Sequence, residues 1–458
     1  MPANVTKKLS ALSTGVGLVL LCYMAYATIY GPYKTTFVHL AIFALCSFVA
    51  LFLDSIVQNI GSKFGILKNF SLLVASVSVL SYFIIEFERL INLWGSTYLS
   101  SWDILLGGFF VIICIEASWR QSLVLGTLAV TSCLYMLFGD YLPGIFSHAG
   151  MDFERFIYIV VYTSEGLFGT GLKVAATYLF MFVILGSVLR VTKTGDFMID
   201  MANGLLGSKV GGAAKGAMAA SAGLGTIVGS SIGNVLATGT FTIPLMKRTG
   251  FEPHVAAAVE TNTSEGAQLV PPILGASAFI MAQLTGIPYE VIALAAVVPA
   301  SLYYLSLYSV VHIEALKHNI RGLPEEEIPS IKKTFTRGWH LLVAPISLFY
   351  LLLVGSYTVT FASLIAIFIA IFFGLLRRHT RFSIKELITF LSEGLSQSAR
   401  ITALVISIGL IQAAIVATGL GPRLTDIILD FSNGSLLMTA SLTVIAATIL
   451  GMGMPTPI

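Results

Sequence analysis

Charge is scarce in this sequence: Asp, Glu, Lys and Arg make up 11% of its 458 residues. An ordinary globular domain carries about 25%. A chain so poor in charge and 56% hydrophobic is not disordered, is not a nucleic-acid binder built on basic patches, and is not a typical soluble enzyme. Cysteine is scarce too. Cys22, Cys46, Cys114 and Cys133 stand singly in apolar runs, with no spacing for zinc or redox chemistry, and read as small buried hydrophobes. The seven His are scattered, and none forms an HExxH pair. No GxxxxGK[ST] loop is present to cradle a nucleotide phosphate.

What the sequence has in quantity is apolar length, with a mean hydropathy of +0.89. Charge-free apolar segments fall at about 9–30, 36–53, 69–85, 104–115, 121–138 and 174–189, then at 291–311, 341–355, 358–376 and 401–420, and a further apolar segment at 255–283 is interrupted by Glu260 and Glu265. They do not alternate as barrel strands would. Their lengths suit helices, and about 20 residues cross a bilayer. The fold class is all-α: a polytopic helical membrane protein. Ala25-Tyr26-Ala27 has the look of a signal-peptidase site, but residues 9–30 are long enough to be a retained first span.

Lys and Arg placement sets the orientation. Lys7 and Lys8 put the N-terminus in the cytoplasm, and Lys63, Lys68, Arg120, Arg190, Lys193, Lys209 and Lys215 then fall on the same side. Glu86, Glu88, Asp103, Asp140, Asp152 and Glu154 fall outside. Between Lys215 and Lys247 lie 31 residues without a charge, six of them Gly. As one helix they would run about 46 Å, beyond a core of about 30 Å. A single span would also throw the basic stretches 317–340 and 377–385 outside. A hairpin over about 216–246 that enters and returns keeps them inside. Irregular backbone at its tip is tolerated only when buried in protein or lining a cavity, so the tip is a site candidate. With this parity the run from about 435 enters from the opposite face. It breaks at Gly451-Met452-Gly453-Met454-Pro455-Thr456. Paired interrupted segments of opposite direction point to an inverted-repeat transporter. No returning arm follows, so a natural chain that continues beyond Ile458 is expected.

The first break holds Gly229, Ser230, Ser231, Gly233 and Asn234, with Thr238 and Thr240 further on. Freed carbonyls with Ser, Asn and Thr oxygens are the hard ligands Na+ needs, and half-helix N-termini favour an anion. Gly225, Gly229 and Gly233 equally fit close helix packing. The next segment carries Glu260, Ser264, Glu265, Gly266 and Gln268 before Pro271-Pro272, which points to an unwound helix. Ser264, Gly266 and Gln268 are the better candidates for a midplane site. Glu260 either contacts an ion or substrate, or pairs with Lys247 or Arg248. Gly229-Ser230-Ser231-Ile232-Gly233 also matches the GxSxG elbow of hydrolases, which makes an intramembrane serine hydrolase using Ser231 and His254 a remote alternative. Residues 196–206 and 384–398 read as amphipathic surface helices or bracing arms, and 377–385 as an anchor beside membrane lipid.

Gly211-Gly212-Ala213-Ala214-Lys215, the Gly229–Asn234 run, Phe241–Gly250 and Gln268–Ala276 resemble the large membrane subunit of tripartite ATP-independent periplasmic (TRAP) transporters. The likeness is greatest to fused permeases that serve TAXI-type binding proteins, and it runs through roughly 100–458. Residues 1–118 match the small subunit in layout only, leaving 119–458 as the large-subunit-like region. The resemblance implies an inner-membrane elevator transporter of a bacterium or archaeon. It would couple Na+ to import of a small carboxylate delivered by a periplasmic TAXI-type binding protein. It places Na+ near Ser230, Ser231, Gly233, Asn234, Ser264, Gly266, Gly451 and Gly453. Substrate would lie near Asn234, Gln268, Pro455 and Thr456. A related Na+/carboxylate elevator that needs no binding protein is the alternative.

Overall fold

The computed structural model describes residues 3–59, 62–92, 99–228, 231–271, 273–355, 357–432 and 434–451. The chain begins with α1 (Ala3–Tyr30), α2 (Thr36–Gln58), α3 (Lys63–Ile85), α4 (Phe87–Asn92), α5 (Ser101–Gln121) and α6 (Leu123–Phe138). It continues through α7 (Phe153–Tyr162), α8 (Thr170–Val174), α9 (Phe180–Val191), α10 (Thr194–Leu206), α11 (Gly212–Val228), α12 (Ser231–Arg248) and α13 (Pro253–Gly266). Then come α14 (Ala276–Thr285), α15 (Tyr289–Lys317), α16 (Ile331–Gly338), α17 (Val343–Leu353), α18 (Val359–Leu376), α19 (Ile384–Ala417), α20 (Leu420–Ser432) and α21 (Leu436–Gly451). No strand occurs among the described residues. Among the described residues, ten helical stretches are long and apolar enough to cross a membrane.

Helices satisfy every backbone group internally, the one open solution for a segment in hydrocarbon besides a closed barrel. The sequence marks their starts. Thr35, Ser62, Ser122 and Thr358 each accept a backbone N–H of the first turn, and Ser100 forms a reciprocal capping box with Asp103. Within spans, hydroxyls bond back to carbonyls one turn earlier, as Ser47 does to Phe43 and Ser363 to Val359. Apolar segments therefore carry Ser and Thr without stranding a polar group.

The chain forms two compact units. The first comprises 1–176 with 396–456. Its core includes Phe83, whose ring packs edge-on against Phe110, Tyr162 and Phe168. Asp103 is fully buried and held from two sides: Arg89 donates to both carboxylate oxygens at 2.9 and 2.8 Å, and Tyr82 donates at 2.6 Å. Ser118 of α5 donates to the Ala403 carbonyl of α19 at 2.5 Å, tying the later part of the chain to the earlier.

The second unit comprises 177–395. Small side chains dominate its core: Ala213, Ala214 and Ala217 of α11 pack with Met246, Phe251, Ala256, Val259, Val311 and Ala315. Helix axes close together need such residues, because lipid supplies no hydrophobic drive between helices.

Three expectations change. Residues 384–398 and 401–417 form one continuous 34-residue helix, α19, which tolerates Gly394 and Gly409 and ends before Gly419, whose φ is 72°. Lys215 is not a loop charge. It is 1% exposed, with Nζ 2.9 Å from His312 Nδ1 and 4.5 Å above the Tyr308 ring. Among the cysteines, Cys114 and Cys133 are buried, whereas Cys22 is exposed and Cys46 lies between.

Candidate functional site

The 31-residue uncharged stretch divides into α11 and α12, two helices that fold back on one another. Asn234, near the start of α12, ties them together. Its side-chain nitrogen donates to the Ser221 carbonyl at 3.0 Å and to the Ser221 hydroxyl at 2.8 Å. The next helix is broken, as its prolines predict. α13 stops at Gly266 and a 3-10 turn covers Ala267–Leu269. The Gly275 N–H then returns to the Gln268 carbonyl at 2.8 Å, with Leu274 at φ 56°. α14 begins only at Ala276.

Two polar stripes at four-residue spacing meet here. Asn234, Thr238 and Thr242 share one face of α12; Glu260 and Ser264 share one face of α13, with Gln268 one further turn on. Glu260 is fully buried. Thr242 donates to its Oε2 at 2.5 Å, Thr238 donates to Oε1, and Ser264 donates to Oε1 at 3.3 Å. The Ser264 hydroxyl also lies 3.4 Å from that of Ser221 on α11. Three helices thus contribute oxygens to one buried cluster. One turn beyond Ser264, Gln268 donates its Nε2 to Ser231 Oγ at the start of α12.

Glu260 does not pair with Lys247 or Arg248. Arg248 reaches Glu327 at 2.5 Å instead, while hydroxyls of the adjacent helices occupy both Glu260 oxygens. The physical reason is register: Glu260 points along the α12 face that carries Thr238 and Thr242. An isolated buried carboxylate is costly unless a proton, a cation or hydrogen bonds compensate it. Asn234 Oδ1 is also buried, and it has no hydrogen-bond partner among the described residues. A buried acceptor left open beside an acid and several hydroxyls is a set of hard oxygen ligands, and Na+ fits its chemistry.

Close approach shapes the rest. A Cβ on Gly225 would lie 2.6 Å from the Ala267 Cβ, so α11 meets the broken turn only because residue 225 is Gly. A Cβ on Gly266 would lie 2.5 Å from the Tyr303 ring. Tyr303 and Tyr304 of α15 donate to the carbonyls of Asn262 and Thr263 at 2.7 and 2.9 Å, bracing the end of α13.

The structure brings together Ser231, Asn234, Ser264 and Gln268 from the sequence candidates. Gly233 lies in the first turn of α12, and Gly451 is the last residue of α21. Ser230, Gly453, Pro455 and Thr456 lie outside the described residues. Ser221 and Thr242 were not among the site candidates, and Thr238 entered only as one of the oxygens that follow the first break. The 234/238/242 spacing on an otherwise apolar helix is the signal that finds the two threonines. Ser231 has Gln268 as its partner, whereas His254 is exposed and lies 3.4 Å from Glu252, so the elbow chemistry of a hydrolase has no histidine at Ser231.

A multi-pass bundle of helices with a folded-back hairpin packed on a broken helix, joined by buried polar groups, defines a membrane transport protein. Residues 105–458 match the family model described as Tripartite ATP-independent periplasmic transporter, DctM component. The chain belongs to that family, a secondary transporter family whose members normally work with a periplasmic binding protein. Among curated proteins, no match to the sequence is found.

Proposed function

We propose that this protein couples the inward movement of Na+ to import of a small organic anion, a carboxylate, handed over by a TAXI-type periplasmic binding protein. The observation that carries the reading is the buried oxygen cluster of Glu260, Ser264, Ser221, Thr238 and Asn234 between the hairpin and the broken helix. Ser231, Asn234, Ser264 and Glu260 would hold the ion. Asn234 and Gln268 would meet the cargo, together with Pro455 and Thr456. The α11–α12 hairpin with α13 and α14 moves as the carrier in an elevator cycle. A second ion site uses Gly451 and Gly453. The N-terminus lies in the cytoplasm, the protein lies in the inner membrane, and residues 1–118 act as a fused small subunit.

The driving force follows from charge. A membrane potential of 100 mV supplies about 2.3 kcal/mol per positive charge moved inward. More Na+ than substrate charge per cycle therefore accumulates cargo without ATP.

The test is uptake by the full chain in proteoliposomes, with an inward Na+ gradient and a panel of small carboxylates. Each assay is run with and without the cognate binding protein. Uptake requiring both supports the reading. Na+-driven uptake indifferent to the binding protein moves the protein to the binding-protein-independent class. Uptake indifferent to Na+ removes the coupling proposal.

A further inference from the structure

A cavity of about 520 Å³ lies in the first unit among α2, α3, α5 and α19, and no residue of the transport site lines it. Of its lining residues only Leu51 and Gly65 lack a polar side chain, so it is not built for an apolar guest. It sits at the ends of three candidate spans: the last turns of α2 and α5 and the first turns of α3. Span ends meet the headgroup layer of a bilayer.

The charges in the lining are Asp54, Lys68, Glu116, Arg120 and Arg400. Glu116 serves two cations at once: Lys68 Nζ and Arg120 Nε both lie 2.8 Å from its Oε1. Arg120 also donates to Asn69 Oδ1 at 2.6 Å, and Asn69 is buried, which fixes the guanidinium in place. Asp54 accepts from Ser396 of α19 at 3.1 Å. Arg400, one turn beyond Ser396, is exposed and has no hydrogen bond or ion pair among the described residues. No side chain outside the described residues is charged, so three cations face two acids and one positive charge is left over.

Cationic donors that converge from α3, α5 and α19 suit phosphate, which accepts on several oxygens at once. Basic pockets between membrane helices take phosphate headgroups by this chemistry. The cavity is larger than a bare phosphate ion, which leaves room for an esterified group. Asp54 Oδ1, Gln58 and Gln121 remain to meet polar groups on that ester. Phe64, one turn before Lys68, and the adjacent Leu67 are 77% and 67% exposed, an apolar flank fit for acyl chains.

We propose that this cavity binds a phosphate ester, with Lys68, Arg120 and Arg400 on the phosphate and Asp54 facing a hydroxyl or ammonium of the esterified group. A phospholipid headgroup and a soluble phosphate ester share that chemistry. The inference is independent of the transport site proposed above.

The test is thermal unfolding of the purified full chain, stripped of lipid in a maltoside detergent. The probes are dioctanoyl phosphatidylglycerol, glycerol 3-phosphate and dioctanoylglycerol. A ligand of the folded state raises the melting temperature. The expected result is a rise with the phospholipid and none with dioctanoylglycerol, which has the chains without the phosphate. A rise with glycerol 3-phosphate supports the site and assigns it to a soluble ester. Arg400→Gln should unfold as wild type does without probe, since the residue has no partner to lose. It should need roughly fivefold more probe for the same rise, the scale of one exposed charge contact. Lys68→Gln should weaken the response in the same direction. Lys332→Gln, an exposed lysine outside the cavity, should leave it unchanged. The inference is overturned by an equal rise with dioctanoylglycerol, by no rise with either phosphate probe, by a response undiminished in both Arg400→Gln and Lys68→Gln, or by an equal loss in Lys332→Gln.

Discussion

Thr242 donates its hydroxyl to Glu260 at 2.5 Å, one helical turn along α12 from Thr238, which donates to the other carboxylate oxygen. The acid is thereby held between two hydroxyls of a single neighbouring helix and is out of reach of the basic residues that end that helix. Removing the acid should matter more than removing either hydroxyl. Glu260→Ala removes the acceptor shared by three hydroxyls and leaves Thr238 and Thr242 only the carbonyls of Asn234 and Thr238 one turn earlier, and it opens a buried cavity, so its cost should exceed that of losing a single hydrogen bond, about 1 kcal/mol. Thr242→Val removes one donor and should cost about 1 kcal/mol. Thermal unfolding in detergent measures both. Equal small losses would show that the cluster does not hold α12 to α13.

Asn234 joins the two arms of the hairpin, and its buried Oδ1 has no partner among the described residues. Asn234→Ala should lower Na+-dependent uptake at least about tenfold, the loss of a little over 1 kcal/mol in ion binding. The variant should remain folded, as read by monodisperse elution. Ser231→Ala should lower uptake less, because Ser231 lies at the edge of the cluster, where its oxygen is shared with the Gln268 amide. Normal uptake in both variants would remove the first hairpin from the site.

Gly266 makes room for two anchored tyrosines. Gly266→Ala places a methyl against Tyr303, and overpacking of this kind costs about 1–3 kcal/mol. Gly266→Ala in a Tyr303→Ala background should be less harmful than in wild type, with a coupling above about 0.5 kcal/mol. Strict additivity in this double-mutant cycle would mean that the ring does not set the requirement for Gly.

Hairpin topology is open to labelling. In a chain freed of its four cysteines, cysteine placed at exposed Lys209 and exposed Lys247 should react with an impermeant thiol reagent from the same face of the membrane. Cysteine at Lys215 should resist reagent from either face, because that position is 1% exposed. Labelling of 209 and 247 from opposite faces would make α11 and α12 a crossing rather than a returning segment.

Acid should weaken the second unit through His379. Burial pushes its imidazole below the ordinary value of 6.5, and Arg337, Arg377 and Lys193 nearby act in the same direction. The His340 ring packs edge-on at 5.9 Å. The folded chain then binds a proton less readily than the unfolded one. Stability from this group is complete above 6.5 and falls as pH drops through the lowered folded value. Melting temperature should decline from about pH 7.5 to about pH 5, and His379→Gln should flatten the decline. An unchanged decline would assign it to other groups.

The sequence by itself determined that this is a helical membrane protein. Long uncharged runs leave helices as the structure that satisfies the backbone, and Ser or Thr caps mark where they start. It also determined the hairpin and the broken helix. A 31-residue uncharged stretch is too long for one crossing, and Pro271-Pro272 cannot continue a ladder. Ser231, Asn234, Ser264 and Gln268 were legible because polar residues in such segments need a reason. The partner of Glu260 was not legible. Basic residues near it in sequence, Lys247 and Arg248, suggested ion pairs, and only the register of α12 against α13 gives the carboxylate to Thr238 and Thr242 instead. Lys215 misled in the same way: a lysine between Ala214 and Gly216 counts as a loop charge until α15 brings His312 and Tyr308 over it. Local spacing decides which residues share a face; which face meets which is settled by the packing of whole helices, through glycines and alanines whose role is the approach of a neighbour far away in sequence.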